Sequence, residues 1–347
     1  MRVLVVDDSA FVRMAVSEIL KNAGMEVETA KNGKEAIEKV MEFKPDVITL
    51  DIYMPIMDGL SALKVIMEKR PTPVIMLSSY TKEGARETIE ALKLGAVDFI
   101  PKPNGVLADY STIADELIRK IHAVAENSPI LIRLQNLKKM RGGVVRGRWK
   151  KKSKDLCVLI GSSTGGPTAL EMIIPRLPAD LPAPVFVVQH MPPGFTSQLA
   201  ERFDSISEIK VKEAENNERV RDGVVYIAPG GYHMKLRKAL DVVRIKIVEG
   251  KPVNAVKPSV DVTAESVVEV YGGNVVGVIL TGMGEDGAYG MKRIKDSGGY
   301  TIASSEDTCV VFGMPKAAIE LGAIKSVKPV YEIAEEIVHA IEVMLNG

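Results

Sequence analysis

Two groups of side chains in this sequence have types and spacings that could do chemistry. The first is acidic. Asp7 and Asp8 close one apolar run, VLVV, and Asp51 closes another, DVITL. Three carboxylates brought to one edge repel one another and ask for a divalent cation; Mg²⁺ fits because it prefers oxygen ligands and keeps several waters. One carboxylate could then act as a nucleophile toward phosphorus, with the metal neutralising the phosphoryl oxygens. Ser78, ending PVIMLS, could hydrogen-bond a phosphoryl oxygen, and Lys102 in PKP supplies a point charge for the same group. Any one of these residues alone reads as a helix cap or a surface ion pair. Their recurrence at successive strand ends points instead to a single site.

The second group lies in the C-terminal half. Gly161-Ser162-Ser163-Thr164-Gly165 satisfies G-x-S-x-G, with an apolar run before it and a helical pattern after it. A nucleophile elbow needs that context, because the tight turn lifts a serine above the sheet edge. The following helix start offers unpaired N–H groups to a developing oxyanion. A Gly-Ser-Thr turn can equally cradle a phosphate. A serine nucleophile needs a base, and His190 ends the next apolar run, PVFVVQ. His233, in APGGYHM, is the competitor; His190 is preferred because it sits at the strand terminus itself. His122 and His339 fall on amphipathic helical patterns and read as ordinary surface residues. Asp286, in LTGMGEDGAYG, supplies a carboxylate to orient the base. The same run satisfies G-x-G-x-x-G at Gly282, Gly284 and Gly287, with Glu306 or Asp307 near ribose-binding distance. Glu285 and Asp286 would then add like charge where a pyrophosphate must approach, so the triad is the better reading. Cys157 lies inside an apolar run and Cys309 has no adjacent base, which disfavours a thiol nucleophile, and no spacing suggests zinc.

These side chains need a scaffold that delivers strand ends to one edge. The first hundred residues alternate apolar runs with amphipathic stretches: strands are expected at 3–6, 26–29, 47–50, 74–77 and 99–100. Helices are expected from near Ala10, Gly33, Leu60 and Lys82, and a fifth over 112–125. This βα repetition predicts a parallel sheet covered on both faces. The alternation restarts after Asp155 with LCVLIG, PVFVVQH, VVYIAPG and VVGVILTG, which read as buried parallel strands. KLRKALDVVRIKIVE alternates like an antiparallel hairpin. Between the halves, residues 126–153 are basic and glycine-containing, with Trp149 isolated among Arg and Lys, and read as a solvated linker.

At 347 residues the chain calls for two domains. Its 45 basic residues balance 45 acidic ones, so no global field draws it to nucleic acid or membrane. The C-terminal half carries no helix-turn-helix pattern, which argues against a DNA-binding output. No apolar stretch reaches the roughly 18 residues of a membrane span, and the N-terminus lacks the features of a signal peptide. With Cys157 and Cys309 the only cysteines, a disulfide framework is not expected. A cytoplasmic protein is the expectation.

VLVVDDSAFVR, DVITLDIYMPIMDGL, PVIMLSS and GAVDFIPKP together resemble the response-regulator receiver domain over residues 1–125. That resemblance implies a flavodoxin-like five-stranded parallel sheet, with Asp51 as phosphoacceptor. It also implies Asp7, Asp8, Asp51 and the Tyr53 carbonyl as Mg²⁺ ligands, Ser78 and Lys102 as phosphoryl sensors, and Phe99 at the switch aromatic's position. GSSTGGPTAL, VVQHMPPGFT, APGGYHM, KPSVDVTAESV, LTGMGEDGAYG and VFGMPKAA resemble the catalytic domain of the chemotaxis protein-glutamate methylesterases, the CheB family, over 154–347. The implied fold is a doubly wound, mostly parallel α/β domain with a β-hairpin. The implied activity is hydrolysis of glutamate methyl esters, releasing methanol, and deamidation of glutamines on chemoreceptor helices during adaptation. Ser163 then matches the nucleophile, His190 the base and Asp286 its orienter, with oxyanion donors from the Thr164 and Met283 backbone. The implied partners are a chemotaxis histidine kinase as phosphodonor and methyl-accepting receptor helices as substrate. No cofactor is expected for the ester chemistry, and a monomer is expected. Phosphorylation would relieve an inhibitory cover by the receiver. A receiver-regulated binding scaffold without esterase activity is the alternative.

Overall fold

The structure, a computed structural model, describes residues 1–79, 81–103, 109–127, 142–149 and 155–346. The chain divides into two compact units, Met1–Asn136 and Leu137–Gly347. In the first, strands β1 (Arg2–Val6), β2 (Glu26–Ala30), β3 (Val47–Asp51), β4 (Val74–Ser78) and β5 (Asp98–Pro101) alternate with helices α1 (Ala10–Asn22), α2 (Gly33–Phe43), α3 (Gly59–Lys69), α4 (Lys82–Leu94) and α5 (Ala114–Glu126). They form one parallel sheet in the order β2-β1-β3-β4-β5. The runs read as strands are uniformly buried in β3 and β4 because helices cover both faces. Side chains stop the loops where the helices begin: Ser9, Asn32, Asp58 and Thr81 each accept a backbone N–H of the first turn. The expected helix over 112–125 begins instead as a 3₁₀ turn, Tyr110–Ile113, which leads into α5. The site residues come from β1, β3, β4 and β5; β2 ends in Ala30 and contributes none.

The second unit holds a seven-stranded parallel sheet ordered β14-β13-β12-β6-β7-β9-β8. Its strands are β6 (Cys157–Ser162), β7 (Val185–Gln189), β8 (Lys210–Glu213), β9 (Val224–Ile227), β12 (Val275–Ile279), β13 (Tyr300–Ser304) and β14 (Ser326–Lys328). The buried runs are the central strands. Strands β8, β13 and β14 escaped the sequence reading, two of them because they are short, partly exposed edge strands whose charged residues carry no apolar run. The hairpin read at KLRKALDVVRIKIVE is β10 (His233–Ala239) paired antiparallel with β11 (Val242–Val248). After β6 the chain builds β7, β8 and β9 on one side, then returns to place β12 on the other. The reversal puts a crevice at the C-terminal ends of β6, β7 and β12, the position at which open α/β sheets bind ligands.

Of the expected linker, residues 128–141 and 150–153 lie outside the described residues. Residues 142–149 are exposed or half-buried, and backbone hydrogen bonds hold them along the second unit. Val145 N–H donates to the Arg176 carbonyl at 2.8 Å, Arg148 N–H donates to Glu342, and the Trp149 ring folds over Gly147. Valines and a tryptophan give even a basic segment apolar area worth burying.

Candidate active site and phosphoacceptor site

The elbow after β6 separates two adjacent serines. Ser162 is the last residue of the strand, wholly buried, and its Oγ donates to Gln189 Oε1 at 2.7 Å. Ser163 is only half-buried, and its hydroxyl has no hydrogen-bond partner among the described residues. The turn is closed by Gly165, whose φ of +75° is the left-handed conformation that glycine adopts without strain. The helix over Gly166–Ile173 follows directly, with proline in its first turn. The N–H groups of Thr164 and Met283 donate to no partner among the described residues. Ser163 N–H, by contrast, is spent on the Thr281 carbonyl at 3.0 Å.

Gln189, the last residue of β7, couples the elbow to the next loop. Its Nε2 donates to the Ser163 carbonyl at 2.9 Å and to the His190 carbonyl at 3.2 Å, while Oε1 accepts from Ser162. One buried amide therefore ties both strand ends together. No sequence signal marked it beyond its place beside His190.

His190 lies at the end of β7, and its Nε2 is 2.8 Å from Asp286 Oδ2. Burial pushes the Asp286 carboxyl up, but the hydrogen bond and charge of His190, with the donors at Ser259 and Val260, hold it below the usual carboxylate range. A carboxylate accepts, so Nε2 carries the hydrogen of this bond, and in the neutral imidazole Nδ1 is then the acceptor. Nδ1 is buried and has no hydrogen-bond partner among the described residues. In the familiar serine-protease triad the assignments are reversed, with Nδ1 on the aspartate.

Asp286 is 2% exposed and sits on the N-terminus of the helix Val260–Tyr271. It accepts from Ser259 Oγ at 2.6 Å, Val260 N–H at 2.6 Å and Asn254 Nδ2 at 2.9 Å. A helix N-terminus suits a buried anion because its unpaired N–H groups point at it. Asn254 donates its second amide hydrogen to Asp261 Oδ2, also at 2.9 Å, and so stands between two carboxylates. It is carried on a two-residue turn: Val253 and Val256 exchange backbone bonds of 3.1 and 3.0 Å, and Asn254 and Ala255 have φ of +53° and +61°. His233, the alternative base, is buried behind the site. Its Nδ1 accepts from Ser259 N–H at 3.2 Å and its Nε2 contacts the Lys251 carbonyl at 3.0 Å, so both nitrogens are committed. His122 and His339 are exposed. Ser259 could have been suspected from the cap pattern Ser-Val-Asp ahead of an apolar run; Asn254 carried no such signal.

The other readings fare poorly against this geometry. The Gly282–Gly287 run carries its own anion, the Asp286 carboxylate, which is committed to His190, Asn254, Ser259 and Val260. Burial pushes the Cys309 thiol up to about 12, and the buried Cys157 thiol is raised as well.

In the first unit, ligand oxygens of Asp7, Asp8 and Asp51 lie within 4.8 Å of one another. Asp7 and Asp51 are buried and Asp8 is exposed. Lys102 Nζ bridges the two buried ones, 2.7 Å from Asp7 Oδ2 and 2.9 Å from Asp51 Oδ1. Burial pushes the Asp51 carboxyl up to about 6; Lys102 opposes that and Asp7 adds to it. An all-oxygen, acidic donor set with one exposed member suits Mg²⁺. Tyr53 stands two residues beyond Asp51 in the loop leaving β3, its phenol held by Glu87. The Ser78 hydroxyl turns toward α4, 2.6 Å from Thr88 Oγ1 and 3.2 Å from the Gly84 carbonyl. Sensing a phosphoryl group would require it to leave that pair. Phe99 is buried, with Lys120 Nζ 5.8 Å from its ring centroid.

Residues 3–108 match the response regulator receiver domain model and residues 158–337 match the CheB methylesterase model. A protein-glutamate methylesterase/protein-glutamine glutaminase of Archaeoglobus fulgidus is 77% identical over 347 residues, covering 100% of this chain and 99% of the relative. One from Thermotoga maritima is 49% identical over 343 residues, 98% of each. The crystal structure of the Thermotoga maritima CheB methylesterase catalytic domain superposes with a TM-score of 0.53 at 50% identity, covering 54% of this chain and 98% of that one. With a receiver sheet ahead of a second parallel α/β sheet, and relatives matched end to end, the chain belongs to the CheB family of protein-glutamate methylesterases/protein-glutamine glutaminases.

Proposed function

We propose that Ser163 is the nucleophile, His190 the base and Asp286 its orienter in hydrolysis of glutamate methyl esters, and of glutamine amides, on chemoreceptor helices. The observation that carries this is the His190–Asp286 bond at 2.8 Å, beside a serine whose hydroxyl has no partner among the described residues. His190 Nδ1 takes the Ser163 proton as Oγ attacks the carbonyl carbon. The Thr164 and Met283 N–H groups receive the oxyanion, where preorganised donors need no reorganisation. The tetrahedral intermediate expels methanol, or ammonia from glutamine, with the proton returned by His190 Nε2-anchored imidazolium through Nδ1. Water then attacks the acyl-serine with the same base, leaving a glutamate carboxylate and free Ser163.

In the receiver, Asp51 accepts a phosphoryl group from a histidine kinase; Asp7, Asp8, Asp51 and the Tyr53 carbonyl would hold Mg²⁺, which would neutralise phosphoryl charge there. Lys102 pairs with the phosphoryl oxygens, Ser78 leaves Thr88 to hydrogen-bond them, and Phe99 responds as the switch aromatic. Residues 1–125 act as the regulatory domain, 126–153 connect, and 154–347 catalyse. The test is methanol release from methylated receptor, with and without a small phosphodonor. No release from wild type overturns the esterase reading, and equal release with Asp51→Asn under phosphodonor overturns the regulatory one.

A further inference from the structure

The hairpin β10–β11 carries a charge arrangement that the triad does not use. Its register sets Lys235 opposite Lys246 and Arg237 opposite Arg244. The extended segment beside β11 places Arg219 opposite Arg244 in turn. Three arginines thus stand in one row across the hairpin and the extended segment beside it, with two lysines in the next. Met234, Leu236 and Ile245 occupy the other face and are buried, so a one-residue slip is forbidden and the cations are forced outward. Arg219, Arg237 and Arg244 are exposed.

Like charges directly opposite one another destabilise a sheet, and little on the molecule relieves them. Lys235 lies 4.0 Å from Glu265, which is already paired with Arg293 at 3.0 Å. Arg244 Nη1 donates to the Asn217 carbonyl at 2.7 Å, and Arg244 forms no ion pair among the described residues. Arg219, Arg237 and Lys246 form no ion pair among the described residues. The chain has as many acidic as basic residues, so the row is a local concentration and no overflow of a basic protein.

The hairpin also reaches the active site. Its first residue, His233, accepts from Ser259 N–H, and Ser259 holds Asp286. Tyr232 and Glu249, flanking the first pair, line a pocket with Lys251 and Lys257. Arg237 lies four residue steps along the strand from His233, about 13 Å. We propose that this basic face docks the acidic, glutamate-bearing surface of the receptor substrate, alongside the segment presented to Ser163. This rests on the esterase reading above, whose product at every turnover is a new carboxylate on that surface.

The test uses the full-length protein carrying Arg237→Glu and Arg244→Glu. On a Ser163→Ala background, affinity for a receptor cytoplasmic fragment with glutamates at the modification positions should fall about tenfold or more, and its salt dependence should flatten. With Ser163 intact, KM for methylated receptor should rise at unchanged kcat, and a short uncharged glutamate methyl ester should turn over as in wild type. Arg237→Gln should melt no lower than wild type, because it relieves a like-charge opposition. Unchanged receptor affinity overturns the proposal, as does a loss of anionic-vesicle binding with receptor binding intact, which would assign the face to a membrane. A fragment that binds in wild type and not in the variant, with no methanol released by either, would leave the dock standing and sink the esterase reading instead.

Discussion

Ser162 and Ser163 are neighbours whose removal should have opposite consequences. Ser163→Ala deletes a half-buried hydroxyl with no partner among the described residues, so stability should change by less than about 0.5 kcal/mol. Turnover should fall by roughly 10⁶, the scale at which a triad nucleophile is lost. Ser162→Ala deletes a fully buried hydroxyl and strands Gln189 Oε1, which no longer receives its 2.7 Å bond. Leaving a buried acceptor unpaired costs about 1–3 kcal/mol. For a domain of this size each kcal/mol lowers Tm by about 2–4 °C, so a fall of roughly 2–12 °C is expected. Because Gln189 still donates to the Ser163 and His190 carbonyls, the elbow should be loosened and not destroyed, with kcat lowered about tenfold at most. Methanol release below the melting range, together with scanning calorimetry of the same preparations, reads both quantities. The reasoning is refuted if Ser162→Ala abolishes turnover at wild-type Tm, or if Ser163→Ala keeps more than about 1% of activity.

Other consequences follow from the same contacts. Asn254→Ala removes the amide between Asp261 and Asp286; methanol release should drop about three- to thirtyfold in kcat, and Asn254→Asp, which adds a third carboxylate, should be worse. His233→Ala should destabilise by about 2–4 kcal/mol in denaturant titration, because Ser259 N–H and the Lys251 carbonyl lose their partner in a buried space. Lys102→Ala removes the cation bridging Asp7 and Asp51, so calorimetry should show tighter Mg²⁺ binding while activation by phosphodonor is lost. On the phosphoacceptor reading proposed above Asp51 must react as the carboxylate, and burial raises its pKa to about 6, so phosphorylation by a small donor should decline as pH falls through about 6. Rising Mg²⁺ should move that limb to lower pH. The stability effect has the opposite sign: a raised carboxyl pKa means the folded state binds the proton more tightly. Asp51→Asn should therefore be stabilising near neutral pH, and the gain should vanish as pH drops below 4.

Much of this protein was legible as a sequence because its functional groups stand at the ends of apolar runs. A run of buried β-residues announces a parallel strand whatever surrounds it, and the residue that ends it must emerge at the sheet edge. Asp51 after DVITL and His190 after PVFVVQ stand out on that ground, Ser163 stands out by the G-x-S-x-G turn that follows its run, and the hairpin is visible in its alternation. The short strands Lys210–Glu213 and Ser326–Lys328 were not, since a partly exposed edge strand has no apolar signature. What only the tertiary structure decided was the commitment of each polar atom, because hydrogen-bond partners here are separated by tens of residues. It made Ser162 a brace and left the Ser163 hydroxyl without a partner among the described residues, gave both nitrogens of His233 to structural partners, and put Nε2 of His190 on Asp286. Asn254, 32 residues before Asp286, reaches it only because a left-handed turn and a helix N-terminus converge on one carboxylate.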